Sequence, residues 1–204
     1  NRLLQGDVGS GKTVVAVLAA LIASSEGYQT AFMAPTEVLA RQHFETMKKI
    51  VSRVERNKQP RTALLTATSN KIFYETDVET EIKKAELQKK IASGEIKIAI
   101  GTQALIQKSI TFQNLGLVIV DEQHRFGVRE RAELVARGQK RTASGQHLSA
   151  LVPHFLSMSA TPIPRTLMLT IFGDLDISTI TELPTGRKKI ITKIVTPENR
   201  GKAY

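Results

Sequence analysis

The stretch Leu3-Leu4-Gln5-Gly6-Asp7-Val8-Gly9-Ser10-Gly11-Lys12-Thr13 decides the fold. An apolar pair ends in a glycine-rich loop. The loop enters a Val-, Ala- and Leu-rich helical pattern over residues 13–24 that stops at Gly27. Residues 6–13 satisfy G-x-x-x-x-G-K-T between a strand and a helix, the context this motif requires. Glycines let backbone N–H groups converge on phosphate oxygens, and the helix adds its positive end to the same anion site. Gly6, Asp7, Val8, Gly9, Ser10, Gly11, Lys12 and Thr13 are therefore expected to cradle a nucleoside triphosphate. Lys12 would reach the β- and γ-phosphates, and the Thr13 hydroxyl would hold Mg²⁺.

A second stretch, Val118-Ile119-Val120-Asp121-Glu122-Gln123-His124-Arg125-Phe126-Gly127, ends an apolar run in two acids. Adjacent carboxylates at the mouth of a buried strand need a cationic partner. Asp121 is expected to share Mg²⁺ with Thr13, and Glu122 to polarise the attacking water. Lys12 and Glu122 are thus the candidate catalytic pair. A third motif, Ser159-Ala160-Thr161-Pro162, places two hydroxyls at a strand end, where they can couple the metal-site acids to a nucleic-acid groove.

Strands are expected at residues 3–5, 30–33, 61–66, 97–100, 117–120 and 155–159. Helices are expected at 13–24, 37–54, 78–93, 128–137 and 166–172. Alternating strands and helices predict an α/β fold: a parallel sheet with helices on both faces, a three-layer sandwich, of P-loop type given residues 6–13. Residues 138–149 read as a polar insertion and residues 173–187 as a connector. Residues 190–195 resemble the first strand of a further unit. Asn1 stands almost directly before a core strand, so the chain reads as an excerpt of a longer protein.

The 204 residues are 41% hydrophobic, enough for one large domain with a packed core. A formal net charge of +10 points to a polyanionic partner. The absence of cysteine excludes disulfides and thiolate metal sites and suits a cytoplasmic protein. His43, His124, His147 and His154 lack metal-ligand spacing, and the longest apolar run, residues 14–23, is too short to cross a membrane. A GTPase would need N-K-x-D, and neither Asn57-Lys58 nor Asn70-Lys71 has the acid.

GDVGSGKT (residues 6–13), MAPTEVLARQH (33–43), GTQALIQ (101–107), DEQHRFGV (121–128), SATPIPRTL (159–167) and the exit segment GDLD…ELPTGR (173–187) follow one another across nearly the whole chain. On these motifs the chain resembles the first RecA-like motor domain of superfamily 2 helicases, and within them the RecG family. Transcription-repair coupling factors share DVG-GKT, RFGV and TPIPRT. Ser10, Glu37, Gln123, the Ala104-Leu105 pair and GDLD favour RecG. A non-motor ATP-binding switch is the alternative of a different class.

The resemblance implies an ATP-dependent DNA helicase that reverses replication forks and branch-migrates Holliday junctions in DNA repair and recombination. Pro35, Thr36, Thr66, Gly101, Thr102 and Gln103 would contact DNA, although Thr66-Ala67 departs from an expected Thr-Gly. Gln123, His124, Ser159, Ala160 and Thr161 would couple nucleotide to movement. Residues 1–172 would be the first motor domain without its amino-terminal part, and residues 173–204 a connector and the start of the second. Branched DNA, the second RecA-like domain, a wedge domain and single-strand DNA-binding protein are the implied partners. The second domain would supply an arginine finger in a Q-x-x-G-R-x-G-R block that this sequence lacks, so the chain alone is expected to be inactive.

Overall fold

Alternation along the strands divides the core in two. Ala31, Met33, Val118 and Val120 face one side of the sheet, while Phe32, Leu117 and Ile119 face the other, as a period of two dictates. The computed structural model describes residues 1–74, 78–122, 152–161, 176–182 and 195. Its elements are β1 (Arg2–Gly6), α1 (Lys12–Ser25), β2 (Gln29–Met33), α2 (Glu37–Val51), β3 (Thr62–Leu65), β4 (Asn70–Tyr74), β5 (Val78–Glu81), α3 (Lys84–Ala92), β6 (Ile98–Gly101), β7 (Leu115–Asp121), β8 (His154–Ser159) and β9 (Asp176–Ile180). Single 3₁₀ turns occupy Arg56–Lys58 and Gln103–Ile106.

The strands form one sheet in the order β5-β4-β3-β6-β2-β7-β8-β1-β9. All neighbours pair in parallel except β3–β4 and β4–β5. Helices α1 and α2 cover one face through Ala16, Val17, Ala20, Ala40, Phe44 and Met47. Helix α3 and the turn at Gln103–Ile106 cover the other through Leu87, Ile91, Leu105 and Ile106. This is the expected α/β sandwich of RecA-like type.

Register puts the motifs on one edge. Gln5 pairs with Ser159, Met158 with Asp121, Val120 with Met33, and Met33 and Leu65 with Gly101. The carboxyl ends of β1, β8, β7, β2, β6 and β3 are therefore level, and every motif loop leaves from that edge. Strands β1 and β2 follow one another in sequence but lie on opposite sides of β7 and β8. The crevice at such a crossover is where open α/β sheets bind ligands.

Two expectations need correction. Residues 78–93 are not one helix: Val78–Glu81 pairs antiparallel with Asn70–Tyr74, and α3 starts only at Lys84. Ile72 and Phe73, β-branched and aromatic, are buried on opposite faces of β4, one in each half of the core, and the pairing of β5 with this strand overrides the helical tendency of the following charged residues. The connector expected over residues 173–187 contains β9, which extends the sheet beside β1. The helices expected at 128–137 and 166–172, the insertion at 138–149 and residues 190–194 lie outside the described residues.

Candidate nucleotide and nucleic-acid site

Helix α1 begins without a side-chain cap. Its N-cap, Gly11, sits at φ 94°, Gly9 at φ 81°, and the first turn carries no acid. Left-handed backbone at two glycines turns successive N–H groups to one side, and the first-turn amides have no intrahelical acceptor. The Lys12 Nζ donates to the carbonyls of Gly6 and Asp7, each at 2.8 Å, which pins the ammonium across the mouth of the loop. An ammonium has three protons, so one is left for a further acceptor. The Asp7 side chain accepts from Val8 N–H at 2.7 Å and the Asp7 carbonyl from Ser10 N–H at 3.1 Å, closing the turn. The Ser10 Oγ is buried and has no hydrogen-bond partner among the described residues, an orphaned hydroxyl of the loop.

The acids of β7 reach this loop. Burial pushes the Lys12 pKa below the ordinary lysine value, while the charges of Asp121 and Glu122 act in the opposite direction. The two stretches of sequence thus share one electrostatic site. Asp121 is only 8% exposed, and its Oδ2 accepts a hydrogen bond from His43 Nε2 at 2.7 Å. Glu122 stands at φ 52°, the sole non-glycine residue with positive φ among the described residues. A glutamate there is strained by about 1–2 kcal/mol, and such strain collects at functional sites.

A triphosphate with Mg²⁺ fits the groups present. The uncapped amides, Lys12 and the orphaned Ser10 hydroxyl are donors for phosphate oxygens, and Thr13 and Asp121 are oxygen ligands suited to Mg²⁺. Among the described residues no cluster of three His, Cys, Asp or Glu could hold a metal by protein groups alone.

Ser159-Ala160-Thr161 lies between the two halves of the site. Ser159 Oγ accepts from Thr161 N–H at 3.2 Å and stands 3.1 Å from the Thr161 hydroxyl, while Gln5 Nε2 donates to the Thr161 carbonyl at 3.5 Å. Gln123 and His124 lie outside the described residues.

The residues expected at DNA share the same edge but differ in what they can touch. Thr36 is exposed and caps α2, its Oγ1 accepting from Leu39 N–H at 3.3 Å. Pro35 and Thr102 are half-buried, and Gln103 is exposed. Thr66 is a correction: it is fully buried, and its hydroxyl closes a turn by donating to the Ser69 carbonyl and accepting from Ser69 N–H. The exposed groups of that turn are Ala67 and Thr68. Glu37 accepts from Ala67 N–H at 3.1 Å and from the Thr68 hydroxyl at 2.6 Å, and Arg41 donates to the same hydroxyl at 3.0 Å. The Thr68 hydrogen bond, followed by that of Ala67 N–H, holds the Glu37 carboxyl below the usual glutamate range. Gly101 is buried, and its carbonyl accepts from Ala34 N–H. A Cβ there would meet the Leu65 carbonyl at 2.3 Å, so packing alone requires the glycine.

His43, Arg41 and Thr68 are members of the site that motif reading passed over. Ala40, His43, Phe44 and Met47 recur at the spacing of a buried helical face, and a histidine among them is the signal that could have marked it.

The DEAD/DEAH box helicase family profile matches residues 1–170. The chain is 48% identical to an ATP-dependent DNA helicase RecG of Synechocystis over its full length, covering 21% of that protein. It is 46% identical to the RecG of Aquifex aeolicus, covering all of this chain and 23% of that one. The chain thus spans about a fifth to a quarter of the length of these relatives. Among solved structures, the Hef helicase domain of Pyrococcus furiosus superposes with a TM-score of 0.57 at 21% identity, over 89% of this chain and 35% of that one. A DEAD box protein from Methanococcus jannaschii gives 0.54 at 15% identity, over 88% and 46%. With a phosphate loop and paired acids on one sheet edge and a profile match over most of its length, the chain belongs to the DEAD/DEAH box helicase family.

Proposed function

We propose that this chain is the first motor domain of a RecG-type helicase that uses ATP to remodel branched DNA in the cytoplasm. The supporting observation is that Lys12, Asp121 and Glu122 act on one another at the edge from which the DNA motifs also emerge. Residues 1–172 carry nucleotide and DNA contacts in this reading, with β9 as a further strand of the same unit. The second RecA-like domain and the wedge belong to the rest of the protein.

Backbone amides of residues 9 and 11–13 and the Lys12 ammonium bind the phosphates. Thr13 and Asp121 would hold Mg²⁺, which would supply charge neutralisation to the phosphates. Glu122 orients a water on the γ-phosphorus and takes its proton on the carboxylate. The water oxygen forms the new bond to phosphorus as the bridging bond to the β-phosphate breaks, leaving ADP and phosphate. Ser159 and Thr161, tied to β1 through Gln5, respond to changes at either strand end.

DNA lies across the loops bearing Pro35, Thr36, Thr102 and Gln103, with Ala67 and Thr68 in place of Thr66. Such contacts grip phosphate and sugar, so they give affinity without base preference.

The test is Glu122→Gln in the full-length protein. ATP binding should persist and unwinding of a fork should cease; unwinding at the normal rate would overturn the assignment. Loss of all DNA stimulation of ATPase in the unaltered protein would instead favour a nucleotide switch.

A further inference from the structure

Asp121 is the most deeply buried carboxylate among the described residues, and its environment is unusual for a group that must meet a cation. A buried carboxylate needs hydrogen-bond donors or an opposing charge. Lysine or arginine beside it would satisfy it but would also compete with Mg²⁺ for the same charge. The structure uses a histidine instead. His43 Nε2 lies 2.7 Å from Asp121 Oδ2, with both side chains largely out of solvent. A carboxylate only accepts, so Nε2 carries the proton.

The ring itself is held. It lies on the inner face of α2, 4.6 Å from the Phe32 ring centroid at an interplanar angle of 30°. Phe32 is fully buried in β2, whose residue Met33 pairs with Val120 immediately before Asp121. The donor is therefore positioned by two elements at once, packed helix and paired strand, and can move little relative to the acid.

We propose that His43 is a positioning residue for the metal-site acid: its ring engages Oδ2 of Asp121 and leaves the other carboxylate oxygen directed to the cation. This rests on the reading of Asp121 as the Mg²⁺ acid. A single donor fixes one oxygen and leaves the second carboxylate oxygen free of it. Partners of this kind behind metal ligands are worth about 10–100-fold in metal affinity or activity.

The experiment is an Mg²⁺ titration of the binding of a fluorescent, non-hydrolysable ATP analogue to the full-length protein. His43→Phe keeps a ring against Phe32 and removes the donor. His43→Gln returns an N–H at nearly the same reach, and His43→Leu is a second donor-free variant should the phenylalanine not fold. The donor-free variants should raise the Mg²⁺ midpoint by about 10–100-fold, with nucleotide binding in EDTA unchanged, and His43→Gln should recover most of the loss. An unshifted midpoint in a folded donor-free variant, or a glutamine variant as impaired as phenylalanine, overturns the proposal. Asp121→Asn separates the two levels. If it leaves the midpoint unchanged, the Mg²⁺ role of Asp121 fails; if it shifts the midpoint while His43→Phe does not, only the role of His43 fails.

Discussion

At the scale of single residues, the positions that look alike in a motif divide by burial. Thr66 and Thr68 are both hydroxyls in one turn, yet one closes the turn from inside and the other faces out. Thr66→Val should cost about 1–3 kcal/mol in urea unfolding, the penalty for orphaning the Ser69 N–H while the Ser69 carbonyl keeps the Thr66 N–H, and leave fork affinity nearly intact. Thr68→Val should do the reverse, lowering fork affinity with little change in unfolding. Gly101 was legible as a motif residue, but the reason for its identity was not. The Leu65 carbonyl 2.3 Å from any added Cβ is a neighbour that comes from β3, across the sheet. Gly101→Ala should destabilise by about 1–3 kcal/mol through backbone displacement, read in the same assay.

At the scale of elements, α2 joins the two halves of the site. Its cap, Thr36, stands at the edge proposed for DNA, and His43, two turns later, meets Asp121. Thr36→Ala should lower stability by about 0.5–2 kcal/mol, as lost caps do, measurable by denaturant unfolding. The far end of α2 is tied to the β4–β5 hairpin. Lys48 and Lys71 both donate to Glu79, and those hydrogen bonds hold the Glu79 carboxyl below the usual glutamate range. A carboxylate with a depressed folded-state pKa stabilises above its unfolded pKa and loses that contribution as pH falls through the folded value. The hairpin should therefore loosen from about pH 4 downward. Amide exchange in β4 and β5 should rise there, and Glu79→Gln should remove the pH dependence while weakening the hairpin at neutral pH.

At the scale of the whole molecule, the charge of +10 does not translate directly into a DNA surface. Helix α2 runs back from the motif edge, and its 15 residues span about 22 Å at 1.5 Å each. The basic residues from Lys48 to Arg61 consequently sit toward the opposite edge, with Lys48, Lys58 and Arg61 paired to Glu79, Glu55 and Glu95. Reversing the exposed Arg53 and Arg56 to glutamate should leave fork affinity within about twofold at physiological salt, where a charge beyond a Debye length is screened. Arg41→Ala should weaken binding and flatten its salt dependence by about one ion. In filter-binding titrations, equal effects from the two sets would count against the assigned face. The chain by itself should bind MgATP with little turnover and gain ATPase only when the second motor domain is supplied.

The sequence by itself determined the sandwich and the placing of a glycine loop and paired acids at strand ends, because glycine spacing, strand alternation and charged residues at strand ends are local properties of the chain. Only the tertiary structure decided that Val78–Glu81 pairs as a strand, that β9 joins the sheet, that Thr66 turns inward and that His43 stands behind Asp121. For His43 and β9 the partner is far along the chain, 78 residues away between His43 and Asp121. Thr66 and β5 pair with near neighbours, Ser69 and β4, in geometries that only the folded turn and hairpin define. Burial and pairing with distant residues outweigh the weak local preferences that a linear reading can use.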